Sequence, residues 1–220
     1  MGPVIKGIIA VLIISIGHLI VAVYYLLIYS GKRTKRLRQE AEAMGLSFTP
    51  SMDIESLDAV GHFDLFSKGK TRQVSNVLQG RVDSVDVTMF DYKHFTHGVP
   101  GSANKHTVVF FHSDRLKLPR FILGPKNMGY YLGKKLFLSE DMTTPENLAF
   151  IRGCFVRSPY GQDLRAYFSD EIFAFFSKNR GLATEGENNR LLLHRSRYVA
   201  PAKIPSFMDQ AIKVFELFSF

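Results

Sequence analysis

The sequence predicts an α+β fold: an N-terminal transmembrane helix followed by one domain of antiparallel hairpins packed with helices. Three observations predict it. Residues 7–29 form an apolar tract with no formally charged side chain. The segment around Asp83-Ser84 alternates in the period of a strand on both sides of a two-residue turn. Beyond it, helical and strand-like stretches follow one another without the regular alternation of an α/β chain.

The tract GIIAVLIISIGHLIVAVYYLLIY would extend about 35 Å as a helix, enough to cross a hydrocarbon core of about 30 Å with some tilt. Tyr24, Tyr25 and Tyr29 fall at its C-terminal end, where amphipathic rings favour the headgroup layer. Lys32, Arg33, Lys35, Arg36 and Arg38 follow directly, whereas Lys6 alone precedes the tract. Basic residues beside a span tend to stay in the cytoplasm, so the expected topology is single-pass in a bacterial inner membrane, with the N-terminus outside and the body cytoplasmic. A cleaved signal peptide fits less well, because the tract exceeds a usual h-region and a basic cluster replaces the small-residue cleavage site. Lys6 stands where an N-myristoylation signal needs Ser or Thr. His18 near the middle of the tract reads as a neutral imidazole without a role.

This gives a division into an N-terminal segment (1–31, helix about 7–29), a basic juxtamembrane stalk (32–45) and a cytoplasmic α+β domain (46–220). The lipid bilayer is the expected partner, with attraction of the basic run to anionic headgroups second, at about 1 kcal/mol per residue. Nucleic acid is disfavoured: half of the formal charge of +8 belongs to the first 44 residues, which leaves a modest excess on the domain. Apolar residues make up 46 % and include 19 Phe, ample for a core. The single cysteine, Cys154, excludes an intramolecular disulfide and every multi-cysteine metal pattern.

Within the domain, RLRQEAEAMG is rich in helix formers and ends at Gly45. A turn at Asp83-Ser84 would pair Val82 with Val85 and set Val74, Asn76, Leu78, Gly80 and Val82 on one face beside Val85, Val87 and Met89. HTVVFFH returns as a third strand of a meander, and PRFIL, bounded by prolines, suits a short edge strand. GPKNMGYYLGKKLFLSEDMTTPENLAF reads as irregular. Ser169 with Asp170 and Glu171 opens a helix that Gly181 stops, and LATEGENNRLLLHR forms a second hairpin turning between Gly186 and Asn189. Ser206 with Asp209 resembles a capping box for a final helix, whose Phe207, Met208, Ala211, Ile212, Phe215 and Phe218 form a core-facing stripe.

Chemistry is sparse. His94, His97, His106 and His112 lie close in sequence, and His94 and His106 with Asp91 are the candidates for a metal site. Ligands spaced i, i+3 suit a helix better than strands, so surface hairpin histidines are preferred and no cofactor is expected. Cys154 sits among apolar neighbours and reads as a packed thiol. The paired carboxylates Glu140-Asp141, Asp170-Glu171 and Glu185/Glu187 fit helix starts and turns. Gly124, Gly129, Gly133 and Lys134 fail the phosphate-loop spacing, with Met128 where the first glycine belongs and Lys135 in place of Ser/Thr.

FDLFSKGKTRQVSNVLQG, VDVTMFDY, HTVVFF, LPRFILGPKN and TEGENNRLLLHR, spanning Phe63 to Arg195, resemble a group of uncharacterised bacterial proteins with a short N-terminal anchor and an FxLFxxG…FDY…TV…EG…LLLxR pattern. Lys93-His94-Phe95 and GVPGSAN depart from it at the hairpin tip. The resemblance implies no activity and transfers no functional residue. The functional expectation is a binding or scaffolding module rather than an enzyme. One alternative is a membrane-tethered enzyme built from distant residues such as Asp91, His94, His106 or Cys154; another is anionic lipid or nucleic-acid binding, through Lys68, Lys70, Arg72 and the basic run.

Overall fold

The computed structural model describes residues 13–19, 31–57, 63–67, 69–95, 103–125, 148–151, 154–158 and 167–219. Its strands are β1 (Ser47–Met52), β2 (Lys70–Val82), β3 (Val85–Phe95), β4 (Ala103–His112), β5 (Leu118–Pro125), β6 (Leu148–Ile151), β7 (Cys154–Arg157), β8 (Leu182–Asn188) and β9 (Arg190–Arg195). All nine join one antiparallel sheet in the order β1-β2-β3-β4-β9-β8-β5-β7-β6. The helices are α1 (residues 31–43), the single turn α2 (Asp64–Ser67), α3 (Asp170–Lys178) and α4 (Ile204–Phe218).

Local chemistry explains the hairpins. Asp83 and Ser84 both hold positive φ, 47° and 65°, the backbone that a two-residue turn needs to match strand twist, and Val82 faces Val85. Between β8 and β9 the turn falls on Asn188-Asn189, with Asn188 at φ 55°. Gly186 on β8 faces Phe121 on β5, and a methyl group there would collide with that ring. Ser169 caps α3 by accepting the Ile172 N–H, and Gly181 at φ 84° follows its end.

The α+β expectation is overturned: the domain is one large antiparallel sheet with few helices. Two segments account for the difference. PRFIL is no edge strand; β5 lies inside the sheet between β8 and β7, and Pro119 falls at the register shift between Leu118 and Phe121, where a missing N–H interrupts no regular ladder. The end of the stretch read as irregular pairs with Cys154–Arg157 as the β6-β7 hairpin, two four-residue runs too short to show a period.

The expected transmembrane helix is not found among the described residues either. Of residues 7–29 the structure describes 13–19, which are helical, and the rest of the expected span lies outside the described residues. Among the described residues no helix is long and apolar enough to cross a membrane. The single-pass topology and inner-membrane location rested on that span and lose their support with it. Tyr24, Tyr25 and Tyr29 lie outside the described residues. His18 is exposed, and its Nδ1 lies 2.8 Å from the Ile14 carbonyl.

Both faces of the sheet are covered in part. On the first face α1, α3 and α4 pack over Leu78, Val87, Met89, Val109, Phe111, Leu191 and Leu193. On the second, Leu57, Phe63, Leu65 and Phe66 cover Val74, Val77, Phe90, Tyr92, Val108, Phe110 and Leu192. The expected single face of β2 is therefore broken. A bulge between Ser75 and Leu78, with Asn76 at φ 53°, sends Val74 to the second face and Leu78 to the first. The final helix also starts earlier than a Ser206 cap would place it. Pro205 occupies its first turn, where a missing N–H is harmless, and the Ser206 hydroxyl donates to the Lys203 carbonyl.

Helix α1 belongs to the first-face core: Leu37 and Ala41 are 1 % and 0 % exposed. Leu37→Ala should destabilise the protein by about 2–5 kcal/mol, as for other buried leucines. Urea unfolding checks this, and a change under about 0.5 kcal/mol would mean that α1 is not docked in solution.

Candidate functional site

The described residues place polar side chains in the interior at three points. The first lies on the first face, where the N-terminal part of α1 crosses the end of β3 and β4. Asp91 of β3 is 2 % exposed and receives both arms of Arg33: Nε to Oδ2 and a terminal nitrogen to Oδ1, each at 2.7 Å. Asn76 Nδ2 donates to Oδ2 at 2.9 Å and Thr107 Oγ1 to Oδ1 at 3.1 Å. The remaining terminal nitrogen of Arg33 donates to the Val199 carbonyl at 2.8 Å, and the Val199 N–H donates to Thr107 Oγ1 at 2.9 Å. Arg33 also lies over the Tyr198 ring, 4.7 Å from its centroid. A planar guanidinium suits this place because it satisfies a carboxylate and a carbonyl at once.

The second point lies on the opposite face of the same strands. His94, His106 and His194 are 5 %, 7 % and 1 % exposed. His94 stacks on His106 with centroids 5.4 Å apart and planes 9° from parallel, and His194 meets His106 edge-on at 5.3 Å. Tyr92 lies 5.4 Å from His94, and its hydroxyl finds no hydrogen-bond partner among the described residues. Burial pushes the Tyr92 phenol up to about 12.

The third point joins α2 to strands β5, β7 and β8. Glu185 caps α2, accepting the Asp64 N–H at 2.6 Å and the Leu65 N–H at 3.1 Å. The Asp64 carboxylate binds Arg157 and, at 3.2 Å, Arg120, which also approaches Glu187 at 4.0 Å.

The candidates from sequence are thus divided. His94 and His106 do come together, but Asp91 points to the other face and is held by Arg33. Among the described residues no group of three His, Cys, Asp or Glu side chains could hold a metal ion. Of the basic run, Lys32, Lys35 and Arg36 are exposed, Arg38 is exposed with its guanidinium 5.3 Å from the Phe48 centroid, and Arg33 is an interior ion pair. Cys154 lies five strand positions from Asp91 in the sheet, and burial raises its thiol above the ordinary range. Sequence reasoning missed Tyr92 and His194. Their signal is the register that sets Tyr92 opposite His106 and Val108 opposite His194.

No protein-family model and no curated protein matches the chain. The fold is similar to that of a solved structure, the mycobacterial trehalose monomycolate transport factor A, TtfA. The TM-score is 0.58 at 14 % identity, over 84 % of this chain and 93 % of that one, so the likeness is one of fold.

Arg33→Ala leaves Asp91 buried without its cation and should cost about 3–5 kcal/mol, whereas adding Asp91→Asn should recover part of that loss. A denaturation double-mutant cycle reads both, and additive losses would mean that the pair is not formed. At high pH the folded state keeps the Tyr92 proton that an unfolded chain releases near pH 10. Its stabilising effect is complete below about pH 10 and falls as pH rises toward about 12. Tyr198 acts in the same direction, pushed to about 12 by burial first and Asp91 second, against Arg33. Tyr92→Phe should leave the neutral-pH melting temperature unchanged or raised and make the alkaline decline shallower. An unaltered decline would show that Tyr92 is not the titrating group.

Proposed function

We propose that this chain acts as a binding or scaffolding module rather than as an enzyme. One observation supports the reading most: the interior carboxylates are committed to structure. Asp91 is occupied by Arg33, Asn76 and Thr107, and Glu185 by two backbone N–H groups. A general acid or base must be free to exchange a proton with substrate, and neither is placed to do so. The enzyme alternative drew on Asp91, His94, His106 and Cys154, which lie on different faces or distant strands. The name of TtfA, a transport factor, also fits a role by association rather than by turnover.

The reading is tested on the full chain, by crosslinking and mass spectrometry in extracts of its own cells followed by reconstitution from purified components. One stoichiometric complex, re-formed from the pure proteins, is the expected result. A monomeric chain in every extract together with turnover of a substrate by the purified protein would overturn it.

A further inference from the structure

On the first face, one step beyond the Asp91-Thr107 pair, Lys93 of β3 lies directly opposite Lys105 of β4. Directly opposed residues of an antiparallel pair have Cβ atoms about 5 Å apart, and like charges there are destabilising. The ordinary relief is a nearby carboxylate. None pairs with either lysine among the described residues, and Asp91, one same-face position away on β3, is already neutralised by Arg33. The connection between the two strands, residues 96–102, contains neither Asp nor Glu.

Further positive charge lies on neighbouring segments. Lys32, Lys35 and Arg36 are exposed on the part of α1 that Arg33 fixes over this end of the sheet. Arg197, also exposed, accepts the Thr107 N–H at its carbonyl. The lysine amines rest on different rings, Lys93 4.7 Å from the Phe95 centroid and Lys105 5.6 Å from that of Tyr198. Cation–π contact holds each ammonium in place while leaving its N–H groups able to donate outward. Both rings are partly covered and occupied by cations, which leaves no free stacking platform for bases and argues against single-stranded nucleic acid.

We infer that the Lys93-Lys105 pair binds a multiply charged phosphate group. A phosphate bridging the two ammoniums converts a repulsive cross-strand pair into two charge-assisted hydrogen-bonded contacts. The phosphate can be free or carried on a lipid headgroup, because the recognising chemistry is shared. The inference rests on the reading of the chain as a binding module and names one ligand class for it.

The test uses the full chain at low salt, with inorganic pyrophosphate as the free probe. Phosphatidylcholine vesicles with and without phosphatidic acid, whose phosphomonoester is multiply charged, form the lipid arm. Calorimetric titration or the difference in cosedimentation between the two vesicle types should show binding in at least one arm, weakened about tenfold or more in the Lys93→Gln/Lys105→Gln variant. The responding arm identifies the source. Lys93→Glu separates binding from folding: opposite Lys105 it should raise the melting temperature by a few degrees while abolishing phosphate binding. Unchanged affinity in the double variant, or no binding in either arm, overturns the inference. A protein complex that persists in that event leaves the module reading standing.

Discussion

The fold depends on one buried ion pair. Two unit charges withdrawn from water cost several kcal/mol each unless every polar atom finds a partner, and at Asp91 and Arg33 nearly all do. Their hydrogen bonds tie together four parts of the chain: helix α1, the β2 bulge, the adjoining strands β3 and β4, and the segment after β9. Apolar burial of Leu37 and Ala41 supplies attraction between helix and sheet but does not fix a helix along its axis. A bidentate guanidinium does, because its two contacts are lost with a small slide.

That pair also explains where the sequence was legible and where it was not. The Asp83-Ser84 hairpin, the meander into β4, the β8-β9 hairpin and the stripe of α4 are local patterns, set by turn chemistry and period, and they stand in the structure. Arg33 was read with its neighbours as part of a topology signal because five cations in seven positions look alike in one dimension. Its partner lies 58 residues away, and only the register of the sheet brings them together. The bulge at Asn76 was hidden for a related reason: alternation looks the same on both sides of an inserted residue, yet the faces exchange. β5 to β7 escaped because short apolar runs inside a sheet carry no period, and prolines that suggested an edge sit at an irregular register.

The interior polar groups are segregated by face. The carboxylate with its arginine lies beneath α1, and the three imidazoles and the phenol lie behind the same strands. Strand alternation makes this unavoidable: Asp91 is one residue from Tyr92, so the two must point oppositely. Sequence proximity placed Asp91 with His94 and His106, whereas the pleat separated it from them and brought in His194 from another hairpin.

The long reach of Arg33 has a temporal side. One of its hydrogen bonds ends on Val199, 166 residues downstream, and the β4-β9 pairing joins equally late segments to the middle of the chain. At about 5–20 residues per second, roughly 10–30 s of synthesis separate the helix from the carbonyl that completes its seat. During that interval Arg33 can meet Asp91, 58 residues on, but the seat of α1 lacks its last hydrogen bond and the late strands and helix of its core. Assembly from such distant contacts is slow, so the nascent N-terminal segment is the part of this protein most exposed to premature association, including capture by a chaperone.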